Sequence, residues 1–494
     1  MTSELAIAPL PAAPVANASA ALDDFSDRLS PMLVKELRQG LRARTFVIVF
    51  LTLQALLGLI LLAAASAAAH DRAGLVISRI IFLFFSLAVL VIQPLRGVGA
   101  LSSEMKGRTI DLMVLTRLSA WRIVTGKWVS LVSQSALLLA AIVPYLILRY
   151  FFGGMQLFSE LLALGCVFLA SGMLTAVMVG LSACGSLLVR GILPVLGTPL
   201  LVGSIFGVTL SGSLPATLEF FTLSSRGSWV VFAACLGIGA YLTWMALDFG
   251  ASQIGPRAEN RATARRLVCL AATFALAALG FWSNSGWIVV GLTVVLTPVI
   301  AVSFTEPGDL VPVVTKPFVR RGFPGLVCGR FLYPCWPAGV LFCVVPCAVV
   351  LAEGVLLARL DGTELNLLVA WLGSLLFPAV WVTLFRRKVR NAFATYVLIL
   401  ASSLILLFVV GLLQDAMRNE IVAWMFCWLP PAQAVMFAAG RVSHDLAMAV
   451  SCAVNGLYFL ILFLAALIRF PVIRAAEIES ANDRALTSDP PASA

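Results

Sequence analysis

The chain has 494 residues, 61% of them apolar and only 12% charged, with a mean hydropathy of +1.01 and a net charge of +10. Soluble domains average about 45–50% apolar and about 25% charged residues, so this composition excludes a soluble enzyme, a nucleic-acid binder and a disordered scaffold. One crossing of the hydrocarbon layer takes about 20 apolar residues. About twelve crossings therefore fill half the chain, and the composition describes an all-α, polytopic helical membrane protein with short loops. The long unbroken apolar runs do not have the alternation of β-barrel strands.

In chain order, residues 1–27 are rich in Ala and Pro, close on Asp23, Asp24 and Asp27, and have no basic stretch before an apolar core. They read as a disordered cytoplasmic tail rather than a signal peptide. Residues 28–45 follow as an amphipathic helix. Pro31 suits a first helical position behind Ser30, and Leu33, Leu37 and Leu41 recur every four residues among Lys35, Arg38, Gln39 and Arg42. A basic amphipathic helix of this kind lies on an inner leaflet, its ordinary alternative being a basic flank of the first span. Apolar runs then place twelve spans at 45–69, 74–95, 128–152, 157–187, 191–211, 228–249, 267–283, 286–304, 336–358, 364–385, 392–413 and 445–468. Between the second and third lies a long segment, 96–127. Ser103 is placed to cap a short helix beginning near Glu104, and Ser119 to cap the next, which runs through Ile123 into the third span. Residues 251–266 read as a basic cytoplasmic linker between a first membrane half, 45–250, and a second, 267–474. Residues 475–494 read as a second disordered tail.

The basic residues set the orientation. With the N-terminus inside, 27 of the 34 Lys and Arg fall on cytoplasmic segments and 7 on outer ones. That asymmetry predicts an even number of spans in a cell membrane, inner or plasma, with both termini cytoplasmic.

Two cytoplasmic segments resemble the permease subunits of ABC-2 type transporters. The interface helix of that family matches Ser30-Pro31 and Lys35-Glu36-Leu37-Arg38, with Leu41 on the same face. Its coupling segment matches Glu104, Gly107, Thr109, Leu112, Leu115, Thr116, Ser119, Ile123, Gly126 and Lys127. Arg108 separates Gly107 from Thr109, and Arg117 stands where proline is usual. The resemblance covers about residues 30–250. It implies an ABC-2 fold in the first six spans, a coupling helix that docks a separate cytoplasmic ABC ATPase, and a re-entrant element at 212–227 between the fifth and sixth spans. It does not name a substrate or a direction of transport, although the family is one of exporters.

The chain has no ATPase of its own. No GxxxxGK[ST] occurs, and Gly126-Lys127-Trp128 lacks the earlier glycine that a phosphate cradle needs. ATP and Mg are therefore expected in the partner, in two copies, with no cofactor, metal or catalytic group on this chain and no enzyme activity. The ten cysteines form no CxxC and read as small apolar packing residues.

The last six spans read as a degenerate repeat of the first six. Loop lengths recur in the same order, and Glu306…Gly329-Arg330-Phe331 echoes Glu104…Gly126-Lys127-Trp128. Parallel repeats are a known way to build transporters, while chance similarity between apolar sequences is the plain alternative. Pro307, Pro312, Pro317 and Pro324 keep the second inner loop from being one continuous helix. Residues 424–440 read as a second re-entrant element. If the second half is no repeat, a homodimer would be needed to complete a path.

Charges inside spans are few. Glu353 invites a substrate or proton role, or simply pairing with Arg359 at the outer surface. Arg149 and Glu160 read as markers of the membrane surface. The expected function is thus a transport permease. An ion- or proton-coupled secondary carrier and a non-transporting membrane assembly partner are the alternatives.

Overall fold

The structure is a computed structural model that describes residues 31–66, 73–107, 119–151, 156–211, 213–256, 258–283, 286–357, 360, 362–417, 420–438 and 444–488. No strand occurs among the described residues. Among the described residues eleven helices are long and apolar enough to cross a membrane, or twelve with the bent pair Leu33–Leu41 and Arg44–Ile60, which meet at 55°. The architecture is that of a multi-pass helical membrane protein.

Helix α1 (Pro31–Leu41) turns into α2 (Arg44–Ser66). α3 (Gly74–Lys106) contains a π-helical turn at Leu87–Ile92. α4 (Ala120–Tyr150), α5 (Leu157–Ser182), α6 (Leu187–Leu210), the short α7 (Leu214–Phe220) and α8 (Arg226–Ile254) complete the first half. The second half holds α9 (Arg261–Ser283), α10 (Ile288–Thr305), the short α11 (Pro312–Val319) and α12 (Gly322–Leu332), and then α13 (Trp336–Ala352). It ends with α14 (Gly362–Leu384), α15 (Ala392–Met417), the short α16 (Glu420–Met425) and α17 (Pro430–Ala438), and the long α18 (His444–Ser488). Contacts of Lys127 with Glu36, Leu101 with Ser182, Gly255 with Ala120, Arg266 with Glu306 and Arg330 with Glu477 put α1, the start of α4, the α8–α9 connection and the last part of α18 at one end of the bundle, referred to below as the α1 end.

Small residues set the packing of the first half. α5 lies against both α4 and α8. At Gly180 an added Cβ would stand 2.2 Å from the Ala246 carbonyl oxygen, and one at Gly250 would stand 2.9 Å from the Gly180 Cα. Such small-residue contacts let backbones approach where no hydrophobic drive separates helix from lipid. The π-helical turn of α3 packs on the same helix, where the Ser171 hydroxyl donates to the Val89 carbonyl at 2.7 Å. The indole N–H of Trp128 donates to the Gly172 carbonyl at 2.8 Å, tying α4 to α5. The largest buried cluster lies in the second half, around Leu292, Val295, Leu296 and Val299 of α10, with Phe342 of α13 and Tyr396 of α15.

Four sequence expectations are corrected. Residues 475–488 are helical, because α18 continues past the apolar run to Ser488. Ile473, Ala476, Glu477 and Ser480 are all buried at i, i+3, i+4 and i+7, the period of a helix docked on one face. The linker expected at 251–266 is shorter, because α8 runs to Ile254 and α9 begins at Arg261. Arg261, Arg265 and Arg266 sit on α9 facing acidic partners, and Arg257 lies outside the described residues. Arg149 and Glu160 do not mark a surface. They form a buried ion pair at 3.2 Å, both contacting the Ser78 hydroxyl, with the Arg149 Nε donating to it at 2.8 Å. Ser103 does not cap a helix at Glu104. The last turn of α3 starts at Ser102, and the Ser103 hydroxyl donates to the Gly99 carbonyl at 3.1 Å. The described residues of the segment 96–127 are the end of α3 and the start of α4, and residues 108–118 lie outside them.

Candidate functional site

Lys127 is the centre of the site. It lies two turns into α4, whose start is fixed by Ser119: that hydroxyl accepts the Arg122 N–H at 3.4 Å. The Lys127 ammonium meets Glu104 of α3 at 2.7 Å and Glu36 of α1 at 3.2 Å. Its side chain is only 8% exposed, and each carboxylate 16%. One cation therefore holds together three segments, two of them 91 residues apart in sequence. An ammonium has three donors and no fixed plane, which suits it to bridging two carboxylates that arrive from different directions.

Helix α1 docks on α4 through its leucine face. Leu33 and Leu37 are half-buried, while Lys35, Arg38 and Gln39 are exposed and Leu41 lies at the rim. Gly40 permits the approach, because an added Cβ there would lie 2.2 Å from the Gln134 side-chain nitrogen. Gln134 is wholly buried and accepts a hydrogen bond from Arg96, which also reaches Gln93 at 3.0 Å. The two sequence motifs are thus joined by an ion cluster and a polar layer beneath it.

Of the residues expected to form a coupling segment, Glu104 and Lys127 are brought together, Ser119 caps α4, and Gly107 ends the helical turn Ser102–Lys106. Gly126 faces open space. Thr109, Leu112 and Leu115 lie outside the described residues.

The second half does not repeat the cluster as the landmarks suggest, because Glu306 and Arg330 do not pair. Glu306 accepts instead from Arg266 of α9, which also donates to the backbone oxygens of Phe331 at 2.8 Å and Cys335 at 3.3 Å. Burial pushes the Glu306 carboxyl up, and the Arg266 guanidinium pulls it back. Arg330 pairs with Glu477 of α18 at 3.2 Å, and the Tyr333 hydroxyl donates to the same carboxylate at 3.3 Å. A basic residue following a glycine is held by a carboxylate from a docked helix in both halves. In the first half that helix precedes the spans, and in the second it follows them. Sequence reasoning missed Glu477, although its helical spacing from Ile473 and Ser480 carried the signal.

The proline-rich segment 305–335 is split into α11 and α12, joined at Gly322 with φ +67. The expected re-entrant segments contain the short helices α7 and α17, the second packed on α14 and α15. Glu353 is buried in a π-helical turn, against which an added Cβ at Gly280 would collide. Its expected partner Arg359 lies outside the described residues. Among the described residues no cluster of His, Cys, Asp and Glu has the makings of a metal site.

A cavity of about 630 Å³ opens at the α1 end where α8 and α9 meet the ends of α10 and α14. It is lined by Arg261, Arg265, Arg386 and Arg390, with Glu259 and Asp309 among the acidic residues. Asp248 holds both Arg261, at 3.2 Å, and Arg265, at 3.0 Å. No known protein family, curated protein or solved structure matches the chain.

Proposed function

We propose that this chain is the membrane-spanning permease subunit of an ABC-type exporter, driven by ATP hydrolysed on a separate nucleotide-binding subunit. The observation that carries the reading is the convergence of Glu36 and Glu104 on Lys127. The two segments that resemble ABC-2 motifs are far apart in sequence and form one ionic unit in space. In this reading α1 lies at the inner face, and the 104–127 region receives the force of ATP binding. The clamp transmits that force to α1, α3 and α4 together. The excess of Lys and Arg on the segments at the α1 end supports an inner position for that end.

An ion-coupled carrier is the second reading, and the buried Arg149–Glu160 pair is what favours it. An intramembrane carboxylate is a natural ion-pathway element. Arg149 neutralises it, however, and a carrier would have to break that pair in each cycle.

Purification from native membranes in mild detergent separates the readings. Recovery of a spanless Walker-A ATPase in stoichiometric amount, with vanadate-sensitive hydrolysis, is the expected result. Transport driven by a proton or sodium gradient in proteoliposomes of this chain alone would replace the permease reading with the carrier.

A further inference from the structure

The cavity between α8, α9, α10 and α14 has a feature the permease reading does not use. Four arginines line it, and two are engaged: Arg261 by Asp248 and by Glu259 at 2.9 Å, and Arg265 by Asp248. Arg386 differs. One guanidinium nitrogen, Nη2, donates to the Glu306 backbone oxygen. The other, Nη1, is buried without a hydrogen-bond partner. The guanidinium sits over the Trp336 ring, 5.3 Å from its centroid, so its plane is already held. Arg390, exposed just before α15, lines the same cavity.

A buried charged donor left unpaired is expensive and calls for an explanation, of which a bound anion is one. Arg386 and Arg390 line one cavity, and two guanidinium groups match a group with several oxygens and more than one negative charge. A single carboxylate matches less well, because it offers one charge and two oxygens to two guanidinium groups, and the ligand must also outweigh repulsion from Glu259, Glu306 and Asp309 on the lining. The cavity is at the α1 end of membrane-crossing helices, the level at which head groups meet basic pockets between helices.

We propose that this cavity binds a phosphate-bearing anion, its phosphate gripped by Arg386 and Arg390. Two sources share that chemistry: the head group of an anionic lipid and free phosphate. Burial, with repulsion from Arg469, brings the Arg386 guanidinium down to about 10, while Asp309 and Glu306 act in the opposite sense. A phosphate against Nη1 would relieve that burden.

The test uses the full chain, purified in a neutral maltoside detergent at constant ionic strength. Inorganic phosphate, a short-chain phosphatidylglycerol and acetate are titrated separately while thermal unfolding is followed. The proposal expects saturable stabilisation by the lipid, by phosphate or by both, and roughly tenfold or more weaker apparent affinity in Arg386→Gln and Arg390→Gln. Arg386→Lys should retain part of it. Stabilisation by the lipid alone assigns a head group; stabilisation by phosphate that also displaces the lipid assigns free phosphate. Arg390 is exposed, so Arg390→Gln keeps the test open even if Arg386→Gln fails to fold. No stabilisation by either probe, equal stabilisation by acetate, or unchanged affinity in Arg390→Gln would overturn the proposal.

Discussion

Replacing Lys127 with Met removes the ammonium that pairs with both Glu36 and Glu104 and keeps the length of the side chain. Breaking a fully buried ion pair by deleting one partner costs about 3–5 kcal/mol, because the remaining charge stays buried and unpaired. Here the carboxylates are each 16% exposed, so water softens the loss. An estimate of about 2–3 kcal/mol follows. The loss falls on the docking of α1, which the clamp and the Gly40 contact hold against α4. In hydrogen-exchange mass spectrometry of the protein in nanodiscs, amides of the 33–41 segment should exchange roughly thirtyfold to a hundredfold faster. A Glu36→Gln, Glu104→Gln background should make the same Lys127→Met change cost about 1 kcal/mol or less, since no buried anion is then orphaned. An exchange change of less than threefold in the first variant, or equal effects in both backgrounds, would refute the reasoning.

Other outcomes follow from the same geometry. Arg149→Met should destabilise by about 3–5 kcal/mol by orphaning Glu160, and Arg149→Met with Glu160→Met should recover most of it, both read as thermal stability in detergent. Gly180→Ala should cost about 2–3 kcal/mol, because the new methyl meets the Ala246 backbone, whereas Gly203→Ala, with open space around it, should change stability by about 1 kcal/mol or less in the same assay. Truncation after Arg474 should lower the unfolding temperature and speed proteolysis near α11 and α12, because it removes the Glu477 partner of Arg330 and Tyr333. A disordered tail would be removed without effect.

What the sequence made legible was set by local physics. Each expected apolar run falls on a long helix, because a 20-residue apolar run has few other fates in this composition, but α3, α4, α9 and α18 extend well past the runs. α1 was legible from Pro31 and the four-residue leucine spacing, and the start of α4 from Ser119. The errors came from tertiary pairing. Arg149 and Glu160, at the ends of adjacent runs, look like surface charges until Ser78 on α3 closes over them. The 475–488 segment is polar enough to read as a tail, and only its docking against α11 and the region of Tyr333 makes it a helix with a buried face. The Glu306 and Arg330 landmarks kept their spacing and lost their mutual contact, because Arg266 and Glu477 supply closer partners. Lys127 was singled out by motif, and Glu36 by a different motif. Nothing in either stretch states that the two side chains meet.

The central claim is that the Glu36–Lys127–Glu104 unit couples this chain to an ATPase. The most direct measurement is ATP hydrolysis by the copurified complex in proteoliposomes, wild type against Glu104→Gln, with assembly checked by native mass spectrometry. The account predicts an intact complex whose stimulated hydrolysis falls at least severalfold in the variant. An intact complex with full stimulation, or a purified chain that carries no ATPase at all, would contradict it.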